Sequence, residues 1–289
     1  MQNPLKLEYT ETLDRELVER SLEGDRKSLE RLIQLHQSFI YNVAWKMVHD
    51  PHDAMDLTQE VLIKVITKLS QFKFNSSFRT WLYRIVVNEF LQGKRRKMEL
   101  EISSFDELGR RLEAIPNPDL TREEEMLYEE LSREMKVRCM SGMLMCLNRE
   151  QRLIYILADT YGIDHKLGAE VFDISPQNYR VKLHRARKEL FNYMSNKCGL
   201  INKANPCRCS KKAKALKGMG VLDENKMIFT KAYREQIAQY AETHSAEACE
   251  KHETAMQDLF QSHPVRTQFD KETIIDTILK ESDYLKYFQ

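Results

Sequence analysis

The sequence predicts an all-α protein: two helical domains followed by a mostly helical C-terminal extension. Three observations carry this. Only nine Gly and seven Pro occur in 289 residues, so helix breakers are sparse. Apolar residues recur at helical spacing through much of the chain. No long alternation of Val and Ile between turn residues is present to build a sheet. The length itself suits two domains.

Residues 11–97 read as one helical unit. Leu17, Leu22, Leu29, Leu32, Ile33, Leu35, Ile40, Val43, Ala44 and Met47 supply its first apolar positions. Asp50-Pro51 ends one helix and opens the next, with Pro51 tolerated in a first turn. Leu57, Val61, Leu62, Val65, Ile66 and Leu69 form the stripe of that next helix. In the helix that follows, at about 100° per residue, Trp81, Arg84, Asn88, Gln92 and Arg95 share one sector. Leu82, Ile85, Val86 and Phe90 share another and face a core. Four helices with short connections can bury a common interior. Residues 98–125 are polar and broken by Ile115-Pro116-Asn117-Pro118, which reads as a linker. Residues 126–195 form a second unit, a long helix and then shorter ones punctuated by Gly162, Gly168 and Ser175-Pro176. Residues 196–289 are the extension, Cys/Lys-rich to about residue 220 and helical beyond.

The formal net charge of +1 hides segregation. Arg180, Lys182, Arg185, Arg187 and Lys188 fall in a stretch without an acid, as do Lys203, Arg208, Lys211, Lys212, Lys214 and Lys217. Acids gather in Glu123-Glu124-Glu125 and towards the C-terminus. Near-neutrality therefore does not exclude nucleic acid, because the local footprint decides. Met1 is followed by polar residues instead of a signal-peptide core, and no apolar run reaches the ~18 residues of a membrane span. A cytoplasmic protein without a membrane partner is expected, with its six cysteines reduced, buried or metal-binding.

Three constellations carry chemistry. Asp53, Asp56 and Glu60 recur at helical spacing opposite the Leu57/Val61/Val65 stripe, with Gln59 and the apolar Ile63 beside them. An acidic face with an apolar neighbour suits a basic partner helix; a solvated face is the plain alternative. The Trp81/Arg84/Asn88 sector, entered through Phe74, Ser77 and Phe78 and followed by Arg95 and Arg96, suits splayed single-stranded bases. Aromatic and guanidinium planes stack on bases, and basic residues follow phosphates. The third is a short helix with Gly168-Ala169, a turn, a Ser175 cap and Pro176 at the first position of a second helix. Small residues let two helices cross closely, as a helix-turn-helix requires. The second helix offers Gln177, Asn178, Arg180, Lys182 and Arg185 outward for duplex base edges and phosphates, with Val181 expected inward.

Together, Asp53–Val61, the run from Ser76 through Ile85, and Asn88 resemble the second conserved region of bacterial RNA polymerase sigma factors. Leu147 through Arg152, with Ser175 through Arg187, resemble the fourth. Two motif sets in this order across about residues 11–195, with no room for the first and third regions, resemble the extracytoplasmic-function (group 4) class. The resemblance implies that 11–97 is the region 2 domain and 126–195 the region 4 helix-turn-helix domain. It further implies that Asp53, Asp56, Gln59 and Glu60 face the coiled coil of the polymerase β′ subunit, with the β subunit also in contact. Phe74, Ser77, Phe78, Trp81, Arg84 and Asn88 would open and hold the minus-ten element. The helix from Pro176 to Arg187 would read the minus-35 element, and 98–125 would thread toward the RNA exit path. The chain departs from the family pattern at Gln92, at Gly93, at Asp173 in place of a turn Gly, and at Tyr179-Arg180.

The extension adds Cys198, Cys207 and Cys209, three thiols able to ligate zinc or another thiophilic ion, with His244, Cys249 or His252 as a fourth ligand. Nearby lysines would favour thiolates; small buried thiols are the alternative. Cys139 and Cys146, among Met140, Met143, Leu144 and Met145, read as core. Glu247, Glu250, Glu253 and Asp258 could fold back on the basic DNA-binding face as a built-in inhibitor, and an anti-sigma factor is the other expected control. No glycine loop for phosphates, nucleophile–base pair or complete metal–water site is present, so no cofactor is required and no catalysis is expected. A stand-alone helix-turn-helix regulator, or a metal- or redox-responsive sensor with a sigma output module, are the other readings.

Overall fold

The computed structural model describes residues 10–102, 104–224, 227, 269–272 and 274–275. Among these residues every regular element is helical, and the β-type pairing is an isolated bridge between Cys198 and Cys207. The helices are α1 (Glu11–Leu22), α2 (Arg26–Val48), α3 (Pro51–Lys68), α4 (Phe78–Gln92), α5 (Lys97–Glu101), α6 (Phe105–Ala114), α7 (Arg122–Leu127), α8 (Glu129–Cys146), α9 (Arg149–Tyr155), α10 (His165–Phe172), α11 (Pro176–Lys197) and α12 (Cys209–Gly218). They fall into two compact units.

The first unit is built on Met1–Met98, Ile156–Val181 and Val265–Gln289. Its core is the apolar stripe of α2 against those of α3 and α4. Ile40, Val43, Ala44, Trp45, Leu57, Val61, Leu62, Leu82, Val86 and Phe90 are all buried. Local chemistry sets the phase of each helix. Asp25 caps α2 by accepting from Lys27 N at 3.0 Å, and Asp50 caps α3 by accepting from His52 N and Asp53 N. Pro51 occupies the first turn, where its missing N–H is not needed. Gly93 is the C-cap of α4 and so ends the helix instead of weakening its interior. The same unit holds α10, which packs on α4. The ring of Tyr41 on α2 stacks on that of Phe269 at 3.9 Å.

The second unit is built on Glu99–Tyr155 and Lys182–Pro264. Here 98–125 departs from a plain polar linker, because it forms α5, α6 and α7 and packs on α8 and α12. A capping box at Thr121/Glu124 starts α7. Glu99 is 4% exposed and takes Arg149 (2.9 and 3.0 Å) and Arg152 (3.0 Å). Arg152 also donates to the carbonyls of Leu144, Met145 and Leu147, closing the C-terminal end of α8. Burial pulls its pKa down to about 10 against the opposing pull of Glu99. The last helix of this region, α11, is 22 residues long and thus longer than the sequence pattern suggests.

Candidate nucleic-acid and polymerase interfaces

On α3 the cap at Asp50 puts Ala54, Leu57, Thr58, Val61, Leu62, Val65 and Ile66 inward. The opposite face carries Asp56 and Glu60 exposed, with Asp53, Gln59 and Ile63 half-buried. All five expected residues therefore share one outward face. Arg96, expected on DNA, lies elsewhere: its guanidinium donates to Glu60 at 2.9 Å and stands 3.9 Å from Asp53. The acid face is partly neutralised from within the chain. With Glu60 about half exposed, such a pair is worth about 0–1 kcal/mol and yields readily to a competing cation.

On α4, Ser77 serves as the N-cap, accepting from Thr80 N at 3.1 Å and meeting Thr80 Oγ1 at 2.9 Å. It fixes the helix start. Phe78 takes a core position. It is 3% exposed, with its ring 5.7 Å from Phe72, 5.7 Å from Trp81 and 5.4 Å from His36. Trp81 leans on this buried base and stays half-exposed. Phe74, at a positive φ of 57°, lies beneath the Arg15 guanidinium at 4.9 Å. Asn88, Gln92 and Arg95 are exposed, as expected. Arg84 is engaged: Nε donates to the Glu170 carbonyl at 3.1 Å and Nη2 to its carboxylate at 3.3 Å. A platform of aromatic faces with an amide and a guanidinium in line suits unstacked bases.

The turn between α10 and α11 is built on close approach. A Cβ on Gly168 would stand 2.3 Å from Tyr179 Cζ, so the Tyr179 ring occupies the space that any larger residue needs. Asp173 takes the left-handed conformation (φ 54°) that closes α10, which a short polar side chain tolerates. Ser175 accepts from Asn178 N at 3.2 Å and starts α11. Gln177, Asn178, Arg180 and Arg185 are exposed, and Gln177 Oε1 accepts from Arg180. Two expectations change. Val181 points outward, whereas Tyr179, Leu183 and Ala186 are the buried stripe. Lys182 is half-buried and donates to Glu150 at 2.6 Å, which braces α9.

The comparisons with known proteins fit this geometry. Residues 32–99 match sigma-70 region 2 and residues 137–190 match sigma-70 region 4. The ECF RNA polymerase sigma-E factor of Escherichia coli is 31% identical over 188 residues, covering 62% of this chain and 93% of that protein. The chain belongs to the extracytoplasmic-function sigma factors. Another relative, SigE of Mycolicibacterium smegmatis, is 27% identical over 176 residues, and the match spans 65% of its length. The structure of CnrH in complex with the cytosolic domain of CnrY aligns with TM-score 0.45 and 20% identity over 63% of this chain and 97% of that one. As a sigma factor the protein binds core RNA polymerase and promoter DNA to start transcription at chosen promoters, and it is not an enzyme. No helix among the described residues is long and apolar enough to cross a membrane.

One element of the sigma region 2 fold escaped the sequence reading. His36 Nε2 lies 3.0 Å from both carboxylate oxygens of Asp14, with both residues buried. The pair ties α1 to α2 directly under Phe78. Its signal was present, since Asp14 and His36 both sit on apolar stripes, beside Leu17 and Val18 and beside Ile33 and Ile40.

In the sigma factor's extension, burial dominates the thiols. It raises the pKa of Cys198 and Cys207 and pushes Cys209 up to about 12; Lys136, Lys212 and Arg208 act in the opposite direction with smaller effect. Among the described residues no group of three or more His, Cys, Asp or Glu is arranged to hold a metal ion. His244, Cys249 and His252, and the acids Glu247, Glu250, Glu253 and Asp258, lie outside the described residues. Cys146 is buried and donates to the Gly142 carbonyl, while Cys139 packs beside Leu131, Met135 and Ala213.

Proposed function

We propose that this sigma factor docks on core polymerase through Asp53, Asp56, Gln59, Glu60 and Ile63 of α3, against the basic coiled coil of β′ with β alongside. The same reading assigns the minus-ten element to α4. Trp81, Phe74, Arg84 and Asn88 hold unstacked bases, Arg95 follows the phosphates, and Ser77 and Phe78 hold the platform in place. Gln177, Asn178, Arg180 and Arg185 read the minus-35 duplex. The observation that supports this best is the α4 face. An aromatic ring, a guanidinium and an amide stand in one outward line over a buried aromatic base, which a duplex-only regulator would not need.

Run-off transcription with bacterial core polymerase tests it. Wild-type protein should yield selective transcripts, Asp56→Arg should abolish them by weakening core binding, and Trp81→Ala should leave core binding intact but impair promoter opening. Tight duplex binding without any transcript would favour a stand-alone regulator. A self-restrained free state is supported by a separate observation, since Arg84 is held by Glu170 and the α3 acids by Arg96.

A further inference from the structure

The lysines of α12 have a use that the DNA reading of the sequence did not include. Lys211 pairs with Asp119 at 2.6 Å. Lys214 pairs with Glu124 at 2.7 Å and donates to the Asp119 carbonyl at 3.2 Å. Lys212 is 4% exposed, and its ammonium sits on the Leu112 and Ile115 carbonyls at the C-terminal end of α6, where unsatisfied carbonyls attract a cation. Asn117 donates to the Pro206 carbonyl at 2.8 Å and Lys197 to Glu113 at 2.5 Å. Beneath the polar contacts, Leu112 packs with Leu131, Met135, Ala213 and Leu222. The polar contacts join residues 112–124 to the segment that begins at the end of α11, and the apolar cluster adds Leu131 and Met135 of α8.

We propose that α12 is a docking surface for the chain's own interdomain linker, and that Lys211, Lys212 and Lys214 thereby set the tolerance to spacing between the two promoter elements. This rests on the reading in which α4 and α11 contact separate elements. A free chain as long as residues 98–125 has a root-mean-square reach of about 30 Å. Docking α6 and α7 removes residues 105–124 from that reach, and with Glu99 of α5 held by Arg149 and Arg152 little of it remains. A docked linker therefore restricts which element separations both surfaces can satisfy together. A released one permits more of them at an entropic cost that grows slowly with length.

The test uses the full chain with core polymerase on promoters whose two elements are moved apart or together in single base-pair steps. Wild-type output should fall about tenfold two base pairs from the optimum, a displacement of about 7 Å. The K211E/K214E variant, which leaves buried Lys212 untouched, should flatten this to within about threefold and raise hydrogen exchange in α6 and α7 roughly tenfold. K211E alone should show the same trend, and adding D119K, which leaves the Thr121/Glu124 capping box intact, re-forms that pair with reversed sign and should restore both the narrow optimum and the protection. An unchanged spacing profile in K211E/K214E despite faster exchange would overturn the proposal. So would unchanged exchange, or a wild-type protein indifferent to spacing. Absence of any wild-type transcript would instead sink the sigma-site reading, while exchange in α6 would still report whether α12 holds the linker.

Discussion

Gly168→Ala isolates the close crossing in the helix-turn-helix. The new Cβ would sit 2.3 Å from Tyr179 Cζ and 2.7 Å from both Cε2 and Oη. Ordinary carbon contacts begin above about 3.4 Å, so the ring must retreat by about 1 Å. It has little room, being 0% exposed with Phe172 edge-on at 5.8 Å. Two effects oppose each other. Alanine gains about 1 kcal/mol over glycine in a helix interior, while overpacking a filled site costs about 1–3 kcal/mol. With a rigid buried ring the cost falls at the upper end, and the net loss should be about 2 kcal/mol. Urea unfolding measures it. The double variant Gly168→Ala/Tyr179→Ala supplies the control, since with the ring removed the alanine should retain only its propensity gain. The coupling between the two sites should then be about 2–3 kcal/mol. Duplex binding to a minus-35 element should weaken in Gly168→Ala, because α11 is displaced. If Gly168→Ala is neutral, or stabilises by the propensity difference alone, the crossing is not as close as described and the reasoning fails.

Glu99→Gln should destabilise the protein by about 3 kcal/mol in chemical denaturation, because it strips the anion from two arginines of which Arg152 is fully enclosed; a loss under ~1 kcal/mol would mean that the carbonyl contacts of Arg152 suffice. Cys209, raised from 9.0 to about 12 by burial, is ionised about a thousandfold less at pH 8 than an open thiol, so native protein should alkylate at this position far more slowly than urea-unfolded protein. The sign for stability follows from the raised folded pKa. The thiol's contribution is fully present below pH 9.0 and is lost as pH rises toward about 12, so denaturation midpoints should fall across that window and less so in Cys209→Ser. Glu170→Gln should change stability by under ~1 kcal/mol, since both partners are about half exposed, yet tighten binding of a single-stranded minus-ten oligonucleotide by removing the charge that holds Arg84, whose bond to the Glu170 carbonyl remains. Unchanged oligonucleotide affinity would show that α10 does not restrain α4.

The phase of each helix was legible wherever a local signal fixed it. Asp50-Pro51 sets α3, and from that start the Leu57/Val61/Val65 stripe and the Asp56/Glu60 face follow by period alone. The Trp81-to-Arg95 line on α4 was legible for the same reason. Phe78 was not, because period cannot tell whether the first residue of a helix is drawn under it by Phe72 and His36, which come from elsewhere in the chain. Val181 was misplaced although the correct stripe was in view: Tyr179, Leu183, Ala186 and Leu190 recur at helical spacing and are all buried. The departure at Tyr179-Arg180 is explained by the same packing, since the tyrosine ring fills the space that Gly168 leaves.

The charge pattern is the more instructive case. Lys211, Lys212 and Lys214 fall in a stretch without an acid, a pattern that taken alone suits nucleic acid. Their partners lie about ninety positions earlier, Asp119 to Lys211 and Glu124 to Lys214. A window read along the sequence cannot match charges across that distance, although both halves of the pattern were visible as the acids at 119–125 and the lysines at 211–217. Basic density therefore marks a nucleic-acid footprint only after the chain's own acids have been assigned. In this sigma factor Lys182, Arg96, Lys211 and Lys214 already meet acids of the chain itself, Glu150, Glu60, Asp119 and Glu124. Arg180 and Arg185 stand outward on α11, and Arg95 is exposed beyond α4. These residues sit beside the side chains proposed to read bases, Gln177 and Asn178 in one case and Trp81 and Asn88 in the other. Where exposed charge coincides with groups able to read or stack on bases, electrostatic attraction and recognition share one site, and this is what two-element promoter binding requires.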